Sequence, residues 1–147
     1  ECVKISSGYV VGGNGSAANI VGVLNGIFFN AADTNKPTFS NFYKATITPA
    51  NSEDTTAFVI DDPFQQYVVA ADAATGVATF LETYDMNTSA GDDTTGRSSS
   101  TLDIGTTSAN GKQFRMLRSA EDPENEDATA VRHSVVVVSN LNSFNQV

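Results

Sequence analysis

The stretch "TAFVIDDPFQQYVVAAD", residues 56–72, places two adjacent carboxylates and a proline between two apolar runs. Pro63 has no N–H to donate and pushes Asp62 out of the helical region, so a strand entering this segment must bend or end there. Asp side chains bond nearby backbone amides, which suits a corner. Consecutive side chains in a strand point to opposite faces, so Asp61 and Asp62 do not converge on one substrate as a catalytic acid pair would. The segment reads as strand, corner, strand.

The same punctuation recurs along the chain. Short runs rich in Val, Ile, Phe and Tyr are separated by clusters of Gly, Asn, Asp, Ser and Thr, as in an all-β domain. Strands are expected at 3–11, 20–29, 39–47, 57–60, 64–71, 112–117 and 132–139. Gly12, Gly13, Asn14 and Gly15 read as a flexible turn, and residues 30–37, "NAADTNKP", as a hairpin loop. Val77, Phe80, Leu81 and Tyr84 have helical spacing and fit one short helix; a strand running into a loop fits nearly as well. Residues 87–110 are mostly Ser, Thr, Gly and Asp, anchored by Leu102 and Ile104, and read as a long surface excursion. The expected fold class is all-β: one domain over residues 1–147, an antiparallel β-sandwich or β-barrel with long Ser/Thr/Gly-rich loops and at most one short helix.

Composition sets the outer bounds. The chain has 147 residues, 40% of them hydrophobic, which is ordinary for a globular protein. Seventeen acidic against eight basic residues give a net charge of −9. Eight scattered cations cannot build a face that neutralises phosphates, so direct nucleic-acid binding is not expected. Attraction to an anionic membrane surface is disfavoured for the same reason. One cysteine, Cys2, excludes an intramolecular disulfide and a CxxC metal site. No stretch approaches the ~20 apolar residues of a membrane span. A start at Glu1, without Met or a charged-then-apolar leader, reads as a processed end or as a start after missing residues.

Chemistry-bearing patterns are weak. His133 is the single histidine and lies just before an apolar run, with no G-x-S-x-G elbow in the chain. Cys2 has no companion. Residues 121–127, "EDPENED", hold five carboxylates that could collect calcium ligands, yet they lack the alternating ligands and mid-loop Gly of an EF-hand. The GGNG turn lacks the Gly-Lys-Ser/Thr of a phosphate loop. No enzyme activity and no cofactor or metal is expected.

One pattern points outward. A strand with one wet face should alternate apolar and polar residues, but residues 135–138 are VVVV, 67–71 are YVVAA and 20–24 are IVGVL. The second apolar face needs a cover, supplied by the chain's own loops or by neighbouring subunits or a partner protein.

In order along the chain come "VGVLNGIFFNAADTNKPTFSNFY" (21–43), "AFVIDDPFQQYVVAAD" (57–72), "TTGRSSSTLDI" (94–104) and "FRMLRSAEDPENED" with "SVVVVSN" (114–140). Together they resemble small structural proteins of tailed bacteriophages, marine and cyanobacterial ones in particular, regarded as head decoration or cement proteins. Tyr43 stands where that pattern would have Trp. The resemblance implies a virion protein on the exterior of the capsid that binds the major capsid protein, bridges its neighbouring subunits and stabilises the head against genome pressure. It also implies a homo-oligomer, a trimer or dimer, with no assigned catalytic residue. On that footing strand 20–29, through Val21, Val23, Phe28 and Phe29, or strand 132–139, through Val136 and Val138, supplies the apolar contact. Arg97, Arg115 and Arg118 pair with acidic groups on the shell. The stretch 91–108 and the N-terminal segment act as arms reaching a neighbour. The alternative is a receptor- or carbohydrate-binding fibre or knob module, disfavoured by the lack of Trp. A small trimeric β-enzyme and a strand-exchanging filament subunit are further rivals.

Overall fold

The corner at Asp62 carries the chain from one β-sheet into another. The computed structural model describes all residues except 14, 16–18, 45, 88, 90, 125, 126 and 145–147. In it the Asp62 carboxylate accepts the Phe64 N–H at 2.8 Å, and the Asp62 carbonyl accepts the Gln65 N–H at 3.2 Å. With Pro63 inside this turn, one strand stops at Ile60 and the next starts at Gln66.

Among the described residues five strands precede the corner: β1 (Cys2–Ser6), β2 (Tyr9–Gly12), β3 (Gly22–Asn30), β4 (Pro37–Ser40) and β5 (Thr56–Ile60). Five follow it: β6 (Gln66–Ala70), β7 (Thr83–Met86), β8 (Leu102–Ser108), β9 (Phe114–Ser119) and β10 (Ser134–Ser139). Both sheets are antiparallel. The first runs β2-β1-β3-β4 with β5 also on β3, and the second runs β6-β10-β9-β7-β8. They form a sandwich-like pair with no closed barrel, so the sandwich holds of the two architectures expected.

Strand β3 organises the first sheet. Val23 pairs with Cys2 on one side and Ile60 on the other, and Ile27 pairs with Ser40 and Ala57. Strands β1 and β4 therefore share one edge of β3, and β5 takes the opposite edge. Gly22 makes this possible, because a Cβ there would stand 2.0 Å from the Ile60 carbonyl oxygen.

Three local expectations need correction. Residues 3–11 are a hairpin and not one strand: Ser6 pairs with Tyr9, and Ser7 (φ 51°) and Gly8 (φ 85°) form the two-residue turn. Positive φ at both central positions is what a type I′ turn requires. The strand expected at 39–47 stops at Ser40, where the Ser40 hydroxyl bonds the Phe42 carbonyl at 2.7 Å. The helical spacing from Val77 yields only a 3₁₀ turn, Val77–Thr79, before β7 begins.

The core lies mainly under the second sheet. Tyr84, Met86, Leu102, Phe114, Met116, Val135 and Val137 pack together, joined from the first sheet side by Cys2 and Ile20. Leu102 is 0% exposed and opens β8, so the excursion expected at 87–110 contains a structural strand. The arms expected from 91–108 and from the N-terminus are accordingly built into the sheets from Leu102 onward and from Cys2 onward. Leu102→Ala should cost about 2–5 kcal/mol of stability, measured as a lowered urea midpoint with unchanged slope, as expected for a buried cavity; a surface-like change below ~0.5 kcal/mol would contradict its placement.

Candidate functional site

The expected interface residues fall in three separate places. Val21 precedes β3, half-buried, with its N–H on the Val3 carbonyl. Val23 packs against the core, and Phe29 faces Lys44 and residues 46–48 of the chain itself. On the outer face of the second sheet, Val136 pairs with Arg118 and Val138 with Arg115. Arg97 sits alone in the 91–98 loop.

The surplus expected on residues 132–139 is absent. Val135 and Val137 are in the core, and Val136 is only 5% exposed, flanked in the ladder by Val68 and the Arg118 stem. Arg115 is committed internally: its guanidinium donates to the Leu81 carbonyl, to Asn110 Oδ1 at 2.9 Å and to Asn140 Oδ1 at 3.2 Å. Arg118 is exposed, donating to the Ser119 carbonyl at 3.0 Å and standing 3.9 Å from Glu121.

On the second sheet Val68 stays 66% exposed, but the uncovered aromatic cluster lies on the first sheet. Residues opposite one another in a ladder share a face. The pairs Cys2–Val23, Val23–Ile60, Gly26–Phe58 and Phe28–Phe39 place all these side chains on one face of the sheet. Its Cys2–Val23 end dips into the core. Its far end is open: Phe39 is 59% exposed, Phe58 46%, Phe28 39% and Ile60 36%. The Phe39 and Phe58 rings are tilted at 5.9 Å between centroids, and Phe39 lies over Gly26, where a Cβ would meet its Cζ at 2.5 Å. Glycine at 26 thus lets the outer edge of an aromatic ring approach the strand closely. At ~200 Å² per phenylalanine the three rings leave roughly 300 Å² uncovered, the scale of a functional patch on a monomer. Of these residues only Phe28 was expected. Phe39, Phe58 and Ile60 follow from alternation once the β3–β4 and β3–β5 registers are known.

Around Ile27 the opposite face of this sheet is covered by the chain itself. Ile27 and Ala50 are buried, and Ala32 N–H bonds the Thr48 carbonyl at 3.1 Å, tying residues 46–50 to the end of β3.

Carboxylates rim the aromatic patch. Asp61 and Asp62 follow Ile60 directly, and at the other end Asn30 donates to Glu53 at 3.0 Å, with Asp54 next to it. The Tyr67 hydroxyl, raised above the usual phenol value by burial and then by Asp62 and Asp61, lies 3.5 Å from the Ile60 carbonyl. Lys36, beside Pro37, is the cation at this end.

The buried His133 and Asp85 serve the fold. His133 is buried, with Nε2 2.7 Å from the Thr75 hydroxyl and Nδ1 3.0 Å from the Ala130 carbonyl, so it clips two loops together with both nitrogens engaged. Asp85 is buried and takes Lys112 Nζ on Oδ2 at 2.9 Å, while Oδ1 is buried without a hydrogen-bond partner among the described residues. Asp103 stands directly across the ladder from it, so Lys112 offsets a like-charge pairing. The 121–127 stretch has Asn125 and Glu126 outside the described residues. Asp122 there accepts the Glu124 N–H, and the Asp127 carboxyl is held below the usual carboxylate range by the Thr129 hydroxyl and N–H. Among the described residues no three His, Cys, Asp or Glu side chains are grouped to hold a metal ion, and no helix is long and apolar enough to cross a membrane.

Two measurements check these assignments. Lys112→Met strands a buried carboxylate and should cost about 2–3 kcal/mol in urea unfolding, whereas Asp85→Asn, which keeps an acceptor for Lys112, should cost less. Burial pushes the Cys2 thiol up to about 12, so Cys2 should resist a thiol-specific disulfide reagent at mildly alkaline pH until the protein is unfolded; rapid labelling of native protein would contradict its burial. Comparison of the chain with protein-family models, with curated proteins and with solved structures gave no match.

Proposed function

We propose that the chain is a non-enzymatic virion structural protein that docks on the outer surface of a tailed-phage capsid and bridges neighbouring major capsid protein subunits. The observation that carries this reading is the uncovered aromatic face of Phe28, Phe39, Phe58 and Ile60. At ~25 cal/mol per Å², covering roughly 300 Å² contributes about 7 kcal/mol. Losing translational and rotational freedom on association costs ~4–15 kcal/mol, so one such patch alone holds weakly. Several patches engaged together, on an oligomer of two or three copies over a symmetric shell, convert weak contacts into lasting attachment.

Charge selects the partner. The patch is rimmed by Asp61, Asp62, Glu53 and Asp54 on a chain of net charge −9, which disfavours a second copy placed face to face on it. A partner surface with an apolar centre and a basic rim is favoured in encounter rate and register. The resemblance to phage decoration proteins names a surface of the kind required, the capsid shell.

The test adds purified protein to capsids that lack it and measures occupancy and resistance to heat. Wild-type protein should saturate the capsid and raise its melting temperature. Replacing Phe39 and Phe58 together by Ser, which touches no core residue, should lower apparent affinity more than tenfold without loss of fold by circular dichroism. Nil occupancy of the wild type across a broad concentration range, or unchanged occupancy of the double variant, would sink the reading.

A further inference from the structure

A cleft of about 150 Å³ opens on the other side of the first sheet, between residues 41–43 and the 91–98 loop, with Leu24 on its floor. Leu24 pairs with Val59, on the face opposite the aromatic patch. The loop wall is built to hold its shape. Asp92 N–H bonds the Arg97 carbonyl at 3.0 Å, Gly96 N–H returns to the Asp92 carbonyl at 2.8 Å, and the Asp92 carboxylate takes the Thr94 N–H at 2.8 Å and the Thr95 hydroxyl at 2.9 Å. These bonds hold the Asp92 carboxyl below the usual carboxylate range, the Thr94 N–H contributing most. Gly96 has φ +71°, and a Cβ there would stand 2.3 Å from the Phe42 ring. Glycine serves both needs at once: the left-handed turn, and closure of the loop onto the aromatic wall.

Three polar groups at the cleft are unspent. Among the described residues the Arg97 guanidinium, the Asp93 carboxylate and the Tyr43 phenol have no hydrogen-bond or ion-pair partner. Their mixture restricts the ligand. Asp93, Asp92 and Glu1 repel a phosphate, sulfate or carboxylate ligand, while Arg97 and Lys44, whose Nζ stands 5.3 Å over the Phe42 ring, repel a cationic one. A neutral ligand rich in hydroxyls meets neither obstacle, and it uses both the guanidinium donors and the carboxylate acceptors. The exposed Tyr43 ring beside these groups offers the apolar surface that a sugar's C–H face requires.

We infer that this cleft is a binding site for one neutral saccharide unit, with Asp93 and Arg97 on its hydroxyls and Tyr43 against its ring. The cleft is smaller than the ~300–1,000 Å³ of drug-sized sites, which matches a single ring with affinity in the millimolar range. The site stands independently of capsid attachment, since it lies on the opposite face of the sheet.

The test is binding of the full chain to an array of neutral and acidic oligosaccharides, followed by amide-resonance titration with the free monosaccharides that compose any neutral binder. A neutral glycan that shifts the amides of Asn41, Tyr43, Asp93 and Arg97 is expected. Asp93→Ala and Arg97→Ala, both at exposed loop positions, should each weaken binding about tenfold or more, and Phe39→Ser on the far face should leave it unchanged. Binding confined to acidic glycans, binding that survives both loop variants, binding of a lysine-rich peptide at the same amides in place of sugar, or no glycan binding at all would overturn the inference.

Discussion

The two sheets are fastened to each other at one end, and that fastening decides which surfaces are free. Ile20 donates to the Leu141 carbonyl and accepts from the Ser143 N–H, each at 2.8 Å. Gly15 N–H reaches the Met86 carbonyl at 2.8 Å. The buried Gln113 side chain lies between these contacts: its amide donates to the Gly13 carbonyl and its oxygen accepts the Met86 N–H at 3.0 Å. Its backbone carbonyl takes the Asn140 N–H as well. A buried side-chain amide is tolerated only when its groups are met, and here meeting them ties Gly13, just after β2, to β7 and the end of β10.

Because the clasp sits at the Cys2–Val23 end of the first sheet, the second sheet covers only that end of the shared face. Strand β3 then runs outward past its cover, carrying β4 and β5 with it. In an ordinary sandwich the residues beyond the cover would turn polar. Here they remain Phe28, Phe39, Phe58 and Ile60. The usual penalty for such a patch, indiscriminate self-association, is opposed by a chain of net charge −9 with carboxylates at both ends of the patch.

Much of this was legible in the sequence, and what was not has identifiable causes. The Asp-Asp-Pro corner and the 30–37 hairpin loop were readable because proline and Asx chemistry act locally. The 3–11 hairpin was missed because Ser7 in the left-handed region has no compositional signature; Gly8 alone was visible. Apolar residues on both sides of β10 were correctly seen as unusual, but burial of Val136 depends on the lateral neighbours Val68 and Arg118, which only the strand order supplies. The aromatic patch was half visible for a similar reason. Phe28 and Phe29 are adjacent in sequence and point to opposite faces, and no property of the run "IFF" says which face the second sheet leaves bare. Arg97 was named among the interface residues, yet its partners in the cleft, Asn41 to Tyr43, are more than fifty residues away. Long-range neighbours of that kind are what a single sequence conceals.

The two candidate surfaces belong to opposite faces of one sheet, and this geometry links the proposals without making either depend on the other. A sheet cannot present two binding faces unless something other than the second sheet stabilises it. In this chain Lys44 and residues 46–50 do so around Ile27, while residues 41–43 and the 91–98 loop shield Leu24 and leave a polar cleft between them. The other face keeps its rings exposed beyond the reach of β6 to β10. Rotating the sheets into full register would bury the rings and gain roughly 7 kcal/mol of apolar contact, but it would break the buried hydrogen bonds of Gln113 and Ile20. A buried donor or acceptor left unmet costs ~1–3 kcal/mol, and the clasp holds several. The offset between the sheets, and with it the pair of open faces, is therefore fixed by polar groups in the core and not by the apolar residues that it leaves exposed.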